Sequence, residues 1–286
     1  MEKNEFNEEK SPHFFRTLFF ILVLLVVLII IYGKFLGNSG LILKQYEIVD
    51  EKIPVSFNNL KIAHFADILY KNNDDIELFD TIIKKINDKK VDIIIFSGNL
   101  TGDNYSFSEE EANKIISKLS KLKSTYGKYY ISGKNDKNNP SYENIMTSSG
   151  FISLNDNKDI IYSKNNENIL LLGIDYNSPG SFIPDTLKDN ENTYKIVTFS
   201  ESDEIEEFAN YNFDIALSSN SLNGQINVPI IKDFFLRDGS RKYISPYYKV
   251  NNTKLYISSG IGTDLIDYRL FNKPSANIYI LKNKNM

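Results

Sequence analysis

Two residue types that build reactive sites are absent or nearly absent from this chain of 286 residues. There is no cysteine, which excludes disulfide bonds, cysteine-based zinc sites and thiol nucleophiles. Histidine occurs only twice, at His13 and His64, and this count excludes every mechanism that needs several imidazole groups. A strong positive charge is also lacking: the formal net charge is -4, so no nucleic-acid partner is expected.

One long apolar stretch is present near the N-terminus. A polar tail over residues 1–13 is followed by residues 14–36, which carry charge only near their ends, at Arg16 and Lys34. About 20 residues of α-helix cross the hydrocarbon core of a bilayer, so we expect residues 14–36 to be a transmembrane anchor in the lipid bilayer. A cleaved signal peptide is the alternative, although no small-residue cleavage pattern follows the run. The expected location is the cell membrane, single-pass, with the domain on the extracytoplasmic side.

The rest of the chain has the pattern of one α/β domain. We interpret residues 37–54 as a linker that contains a first strand at Lys44–Val49, and residues 55–286 as the domain. Alternating strands and helices in its first half predict a parallel sheet covered by helices. The predicted strands are Leu60–Ala66, Val91–Ser97, Lys128–Ser132, Ile160–Tyr162, Ile169–Ile174, Tyr194–Phe199, Phe213–Leu217, Lys254–Ser258 and Asn277–Leu281. The predicted helices are Asp75–Asn87, 108–123, Tyr142–Ser149 and Ser202–Asn210.

Polar turns follow four of the predicted strands. They read DIL at 67–69, GN at 98–99, GKND at 133–136 and SSNSLNGQ at 218–225. The strand before GN is a continuous apolar run, IIIF, which is typical of a parallel strand buried on both faces. Ligands of open α/β sheets bind beyond the carboxyl ends of such strands, so these turns are the expected functional site.

In order and spacing, the turns resemble the motifs of the calcineurin-like metallophosphoesterases, specifically the membrane-anchored bacterial branch. That family has D-x-H, GD, GNHD, a lone His after a strand, and GHTHGGQ. The resemblance extends from about Tyr46 to Leu281 and includes NNLKIAHFAD and LYISSGIGTDLIDYRLFNKP. It implies an α/β fold, a phosphoesterase sandwich of two mixed β-sheets flanked by helices, preceded by one N-terminal transmembrane helix. It also implies hydrolysis of phosphoesters by water activated on two metal ions.

The residues at the family's ligand positions are of the wrong types for such a centre. Asp67 alone matches a ligand, and Asn135 stands at the position of the histidine that assists the leaving group. The other ligand positions carry Leu69, Asn99, Lys134, Ser200, Asn220 and Leu222. A neutral amide cannot neutralise two cations, leucine offers no ligand atom, and an ammonium group repels a metal ion. We hypothesise that an Asp67–Lys134 ion pair replaces the metal centre.

The sequence therefore predicts a membrane-anchored, metallophosphoesterase-like pseudoenzyme with a binding or scaffolding role. No cofactor is expected, and an anionic lipid headgroup or a protein is the expected partner, with Lys134 and Asn135 as candidate anion-binding residues. One alternative is an active phosphoester hydrolase that uses a single weak Mg²⁺ or Mn²⁺ in a carboxylate-based site around Asp67. Asp67 is also a candidate remnant ligand for Mg²⁺ or Ca²⁺, with Asp136 or Asp103 as partners. Another alternative is a structural subunit whose cleft is filled.

The second histidine has a simpler interpretation. His64 lies in the middle of a predicted strand, three residues before Asp67. We therefore interpret it as a core residue and not as a catalytic group.

Overall fold

The N-terminal segment is a single helix that leads into the domain. The computed structural model describes residues 12–72, 75–188, 190, 192–229 and 231–286. Helix α1 spans Pro12–Ile31, and a π-helical segment, Tyr32–Gly37, continues it. Within those described ranges, His13–Gly37 is the one helical span that is long and apolar enough to cross a membrane. The predicted anchor lies inside this span, whereas most of the predicted polar tail lies outside the described residues.

Twelve strands and five further α-helices, with short 3-10 turns between them, make up the described part of the domain. The strands are β1 (Ile42–Asp50), β2 (Lys61–Phe65), β3 (Ile93–Phe96), β4 (Gly127–Tyr130), β5 (Ile152–Ser153), β6 (Asn157–Tyr162), β7 (Asn168–Gly173), β8 (Tyr194–Glu201), β9 (Ile215–Ser219), β10 (Tyr247–Val250), β11 (Thr253–Ile257) and β12 (Ser275–Asn283). The helices are α2 (Ile76–Asp88), α3 (Glu109–Leu119), α4 (Tyr142–Ser148), α5 (Ile183–Lys188) and α6 (Ile205–Phe208).

The strands form two mixed sheets of six. The first sheet has the order β1-β12-β2-β3-β4-β5, and the second has the order β10-β11-β9-β8-β7-β6. Strands β2 to β5 run parallel to one another in the first sheet, as do β11, β9, β8 and β7 in the second, whereas β12, β10 and β6 pair antiparallel with β2, β11 and β7. The carboxyl ends of the parallel strands in each sheet therefore lie along one edge. The predicted fold class is confirmed.

Alternate residues of β3 belong to different hydrophobic cores. Ile93 and Ile95 pack in the core between the two sheets. Ile94 and Phe96 pack on the outer face of the first sheet, in the core that includes residues of α2, α3 and α4. A third core covers the outer face of the second sheet with residues of α5 and α6. This burial on both faces explains why the strand is apolar without interruption.

The segment predicted as a linker is largely sheet. Strand β1 contains the predicted strand Lys44–Val49 and pairs in parallel with β12 from Ile42 to Asp50. Its Ile48 is buried in the core between the sheets. Residues 42–50 therefore belong to the first sheet. The local sequence does not show this, because the partner strand β12 lies at the far end of the chain.

Helix ends follow the local sequence where a cap is present. Ser108 caps α3: its Oγ accepts from the Glu111 N–H, and the Glu111 carboxylate accepts from the Ser108 N–H at 2.9 Å. The predicted single helix over Ser202–Asn210 is instead a series of short turns around α6. Helix α5 and strands β5 and β10 were not predicted, because each is too short to give a clear apolar period.

Candidate functional site

The carboxyl ends of strands from both sheets meet around Asp67. Asp67 follows β2, Asn99 follows β3 and Asn220 follows β9, and all three are buried. The Asn99 Nδ2 donates to Asp67 Oδ1 at 2.9 Å and to Asn220 Oδ1 at 3.4 Å. The Asn220 backbone N–H donates to Asp67 Oδ2 at 2.9 Å. The structure thus brings together three of the positions that the motifs single out.

The backbone at these positions is in the left-handed region. The φ angles are 52° at Asp67, 52° at Leu69, 55° at Asn99, 64° at Asn220 and 50° at Leu222. This conformation is uncommon for a residue with a side chain, and it is least expected for leucine. Each such residue costs about 1–3 kcal/mol and persists only where the surrounding structure imposes it. The frame around the site therefore sets these angles independently of the side chains.

The cation that faces Asp67 is Arg237. Its Nη1 lies 3.8 Å from Asp67 Oδ1, its Nε lies 3.2 Å from Asp264 Oδ2, and its side chain is 9% exposed. Lys134, in contrast, is exposed in the turn after β4. The predicted Asp67–Lys134 ion pair is therefore wrong. Because the planar guanidinium group can face two carboxylates at once, Arg237 connects Asp67 with Asp264.

Both oxygens of Asp67 are occupied by donors from the protein. Burial raises the pKa of Asp67, and Arg237 together with the Asn99 and Asn220 donors opposes that rise. A second buried cation, Arg269, adds positive charge nearby, and burial lowers its own pKa to about 10. Protein cations and hydrogen-bond donors therefore surround Asp67, as is usual for a buried carboxyl group with a structural role.

The residues around Asp67 do not fit a two-metal centre. Leu69 and Leu222 are buried and offer no ligand atom. A methyl group added at Gly260 would overlap Leu222 and lie 2.9 Å from Asp67 Cβ. The side chains of Leu222 and Asp67 therefore both pack against Gly260. In the part of the chain that the structure describes, no group of three or more His, Cys, Asp or Glu residues is placed to hold a metal ion.

The turn after β4 uses its polar groups to hold the turn after β3. Asp136 Oδ2 accepts from the N–H groups of Asn99 (2.6 Å) and Gly133 (2.9 Å), and its Oδ1 accepts from Thr101 (3.2 Å). Burial raises the pKa of Asp136 to about 7. Asn135 donates its N–H to Asn99 Oδ1 and its Nδ2 to the Thr101 carbonyl. Asn135 and Asp136 therefore have structural roles, and Asp103, the other alternative ligand, is exposed.

Ser200 joins two strands of the second sheet. It is buried in β8, and its carbonyl accepts from the hydroxyls of Ser218 at 3.1 Å and Ser219 at 3.3 Å. Its own hydroxyl makes no hydrogen bond to the residues that the structure describes. A buried hydroxyl without a partner is unfavourable. Ser200, at the position of the family's lone histidine, is therefore a buried residue of the sheet.

His64 is a core residue, as predicted. It is fully buried in β2, with Nε2 2.7 Å from Ser97 Oγ and Nδ1 3.3 Å from the Tyr279 hydroxyl. Burial lowers its pKa to about 3, so the ring is neutral near pH 7. Its partners are hydroxyl groups inside the sheet, and none of them is a carboxylate.

Two known sequences resemble the chain along most of its length. It is 25% identical over 266 residues to the uncharacterized metallophosphoesterase YkuE of Bacillus subtilis, covering 89% of this chain and 90% of that protein. It is 27% identical over 282 residues to an uncharacterized metallophosphoesterase of Campylobacter jejuni, covering 94% of this chain and 71% of that protein. The chain is thus similar to proteins named metallophosphoesterases along most of its length. The family resemblance of the strand-end motifs is thereby confirmed.

Comparisons with family models and with solved structures are less informative. No protein-family model matches the chain. Among solved structures, NAD nucleotidase of Haemophilus influenzae superposes with a TM-score of 0.44 and 11% sequence identity. That alignment covers 71% of this chain and 45% of the nucleotidase chain, which is less than half of the latter.

One residue of this site was not predicted, and the role of another was not. Arg237 lies between β9 and β10, in a segment without a family motif, so nothing in the sequence marks it. Gln225 was marked by its place in the last motif, although its role was not. Its Oε1 accepts from the Asp264 N–H at 2.7 Å, and its Nε2 donates to the carbonyls of Ile266 at 2.7 Å and Tyr268 at 2.8 Å. The surviving glutamine therefore holds a loop near the site.

Proposed function

We propose that this protein is a membrane-anchored, non-catalytic member of the metallophosphoesterases with a binding or scaffolding role. The observation that carries the proposal is the Arg237 guanidinium group, 3.8 Å from Asp67 Oδ1. Asp67 is the sole carboxylate left at the family's ligand positions. A cation from the protein thus stands beside the residue that a metal ion would need.

The energetics disfavour a metal ion beside Asp67. Two unit charges about 4 Å apart interact by about 4 kcal/mol at the effective dielectric constant of about 20 typical of proteins. A divalent ion beside Arg237 would meet about twice that repulsion. The buried side chains of Leu69 and Leu222 have no atom that could coordinate the ion and offset this repulsion. Without the metal ions, no activated water is available for attack on phosphorus.

Hydrolysis assays test the absence of catalysis. We expect the full-length protein in detergent to hydrolyse neither p-nitrophenyl phosphate nor bis-p-nitrophenyl phosphate above the rate of the Asp67→Ala variant, with Mn²⁺, Mg²⁺ or Ca²⁺ added. Metal analysis of the same preparation is expected to find less than one ion per chain. Metal-dependent hydrolysis that disappears in Asp67→Ala would establish the alternative, a hydrolase with a residual Mg²⁺ or Mn²⁺ site.

The binding role is proposed for the surface beside the filled site. A cavity of about 230 Å³ lies at the turns after β3 and β4 and includes Asp103, Tyr105, Lys134 and Asn135. Lys134 is exposed there and offers its charge to an anionic headgroup or to an acidic group of a protein partner. Inorganic phosphate and glycerophosphate are expected to raise the melting temperature of the wild-type protein and not that of Lys134→Ala. No shift with either anion would favour the purely structural role.

The membrane location is part of the proposal. Support comes from the length of α1 with its continuation and from the exposure of its apolar side chains, such as Leu24 and Phe19. We place the domain on the extracytoplasmic side of the cell membrane. Extraction of isolated membranes at high pH should leave the protein in the pellet, and protease added to intact spheroplasts should degrade the domain. Release of the protein by the high-pH wash would contradict the anchor.

A further inference from the structure

The end of the apolar helix packs against a loop of the domain, residues 264–271, which we call the anchor loop. The Arg269 N–H donates to the Gly33 carbonyl at 3.1 Å. The Tyr268 hydroxyl donates to the Ile29 carbonyl at 2.9 Å. The anchor loop therefore lies along the last turns of the helical span and not only beyond its end.

Two glycines permit this close packing. A methyl group added at Gly33 would overlap the ring of Tyr268, and one added at Gly37 would overlap the carbonyl oxygen of Arg269. A side chain at either position would push the helix and the anchor loop apart. The contact is therefore built into the sequence on the helix side, in the short segment that follows α1.

The contact reaches into the apolar span. Ile29 precedes Gly37 by eight residues, which corresponds to about 12 Å along a helix axis. If α1 crosses a bilayer, the Tyr268 hydroxyl lies within the layer that surrounds the end of the helix. Tyrosine is enriched at the boundary between acyl chains and headgroups, because its ring is apolar and its hydroxyl is polar.

The anchor loop itself exposes large apolar side chains. Leu265 is 77% exposed, Ile266 is 44% exposed and Phe271 is 68% exposed. Single exposed apolar residues are ordinary on soluble proteins, whereas several on one loop mark an interaction surface. The ring of Phe271 lies 6.5 Å from that of Tyr32, so this surface is continuous with the end of the helix.

Several backbone groups of the anchor loop are hydrogen-bonded within the domain. Gln225 accepts from the Asp264 N–H and donates to the carbonyls of Ile266 and Tyr268. The Leu270 N–H donates to the Gln225 carbonyl, and the Leu270 carbonyl accepts from the Asn227 N–H. Unpaired backbone groups are costly in lipid, so each of these bonds lowers the cost of bringing the loop close to acyl chains.

The anchor loop is also connected to the former metal site. Asp264, its first residue, pairs with Arg237, and Arg237 faces Asp67. Arg269, fully buried, donates to the carbonyls of Ser259 and Gly262 behind the loop. The loop is thus a fixed part of the domain, and its position sets the direction in which the strand ends face.

We propose that the anchor loop inserts into the interfacial layer of the leaflet that holds the end of α1, with Leu265, Ile266 and Phe271 in contact with acyl chains. This proposal rests on the proposed membrane anchoring of α1. The occupant of the apolar surface is the bilayer itself, because the surface is continuous with the helix that crosses it. Insertion at two places, helix and loop, holds the strand-end edge of the domain against the membrane.

The sequence contains no tryptophan, so single-tryptophan variants report position without background. Leu265→Trp and Phe271→Trp probe the anchor loop, and Phe20→Trp probes the middle of α1. Tyr162→Trp is the matched control, since Tyr162 is 57% exposed and lies at the opposite end of the second sheet. Each full-length variant is reconstituted into phosphatidylcholine vesicles with or without bromine on the acyl chains.

We expect bromolipid to quench the emission of Leu265→Trp, Phe271→Trp and Phe20→Trp, and to leave that of Tyr162→Trp unchanged. The loop probes should also emit at shorter wavelength than the control. Quenching of Phe20→Trp without quenching of either loop probe would overturn the insertion of the loop while α1 stays anchored. An unquenched Phe20→Trp would overturn the anchoring of α1, and the loop proposal with it.

Discussion

At the scale of single residues, the main feature of the site is the buried charge of Asp67. Asp67 is fully buried, and an unpaired carboxylate in that environment would be strongly unfavourable. The Asn99 amide and the Asn220 N–H donate hydrogen bonds to its carboxylate, and the Arg237 guanidinium group supplies positive charge beside it. The charge of Asp67 is therefore balanced by a set of groups and not by a single residue.

Removal of the guanidinium group should destabilise the protein. Arg237→Met leaves Asp67 and Asp264 without their cation, and breaking a buried ion pair costs about 3–5 kcal/mol. We expect a loss near the lower end, about 3 kcal/mol, because the Arg237–Asp67 contact is long at 3.8 Å. Urea unfolding of the full-length protein in detergent measures it. Arg241→Met is the control, since Arg241 is exposed and pairs at the surface with Asp238.

An Arg237→Met stability equal to that of the wild-type protein would contradict the structural role of this ion pair. The double variant Asp67→Asn, Arg237→Met removes both charges of the more deeply buried pair. It should be more stable than Arg237→Met alone, because no buried carboxylate is then left facing an empty position.

His64 should make the stability depend on pH in the acidic range. Its pKa is about 3 in the folded protein and 6.5 in its ordinary state. Between these values the unfolded chain binds a proton that the folded protein does not, so the free energy of unfolding falls as the pH falls from about 6.5 to 3. The slope contributed by His64 approaches about 1.4 kcal/mol per pH unit.

The His64→Gln variant isolates this contribution. The wild-type protein should lose more stability than the variant between pH 6.5 and pH 4, as measured by urea unfolding at each pH. Asp136 acts in the opposite sense, because its pKa of about 7 lies above its ordinary 3.8 and favours the folded state at low pH. Its contribution is present in both proteins and cancels in the difference. Parallel pH profiles for the two proteins would contradict a neutral, buried His64.

At the scale of elements, the surviving Gly-Gln of the last family motif serves the anchor loop. Gln225 makes three side-chain hydrogen bonds to that loop, and the Gln225 carbonyl makes a fourth bond to Leu270. The four bonds hold the loop without help from any ligand. Gln225 thus has a structural role that does not depend on metal ions.

Loss of the Gln225 side chain should loosen the anchor loop. A typical hydrogen bond contributes about 1 kcal/mol, so Gln225→Ala is expected to lower the free energy of unfolding by about 2–3 kcal/mol. Hydrogen exchange of the amides of residues 264–270 should become faster. Gln45→Ala is the matched control, because Gln45 is an exposed residue of β1. Unchanged exchange in Gln225→Ala would show that the loop is held by other contacts.

At the scale of the whole molecule, the two sheets place the site where their strand ends meet. The left-handed backbone angles at Asp67, Leu69, Asn99, Asn220 and Leu222 belong to this frame. Neither leucine has a side chain that favours such an angle. The frame therefore keeps the geometry of a ligand-binding edge, while the side chains on it no longer supply ligands.

Restoring the ligand types should restore metal binding. The substitutions are Leu69→His, Asn99→Asp, Lys134→Asn, Asn135→His, Ser200→His, Asn220→His and Leu222→His, together with Arg237→Ala. We expect this variant to retain Mn²⁺ after gel filtration, measured by metal analysis, because the backbone already holds these positions. The matched variant that keeps Arg237 should retain less, since its guanidinium group repels the ion. Absence of metal in both would show that the frame has changed as well.

The elements of the fold followed from the sequence where local chemistry sufficed. The apolar run Ile93–Phe96 predicted a doubly buried strand, and Ser108 with Glu111 predicted the start of α3. Strand β1 was recognised only in part, because its pairing with β12 joins distant parts of the chain. The helical turns around α6 were predicted as one helix, since local spacing does not tell a continuous helix from a broken one.

The sequence by itself determined that a histidine-rich metal centre is impossible. Two histidines, one before the apolar helix and one inside a strand, cannot supply the ligands, and no arrangement in space changes that count. Only the tertiary structure decided which groups lie around Asp67. Arg237, and not the motif residue Lys134, faces Asp67, because an ion pair depends on distance in space and not on position in a motif. The role of Gln225 likewise depends on the tertiary structure, because its hydrogen-bond partners in the anchor loop are about 40 residues away along the chain.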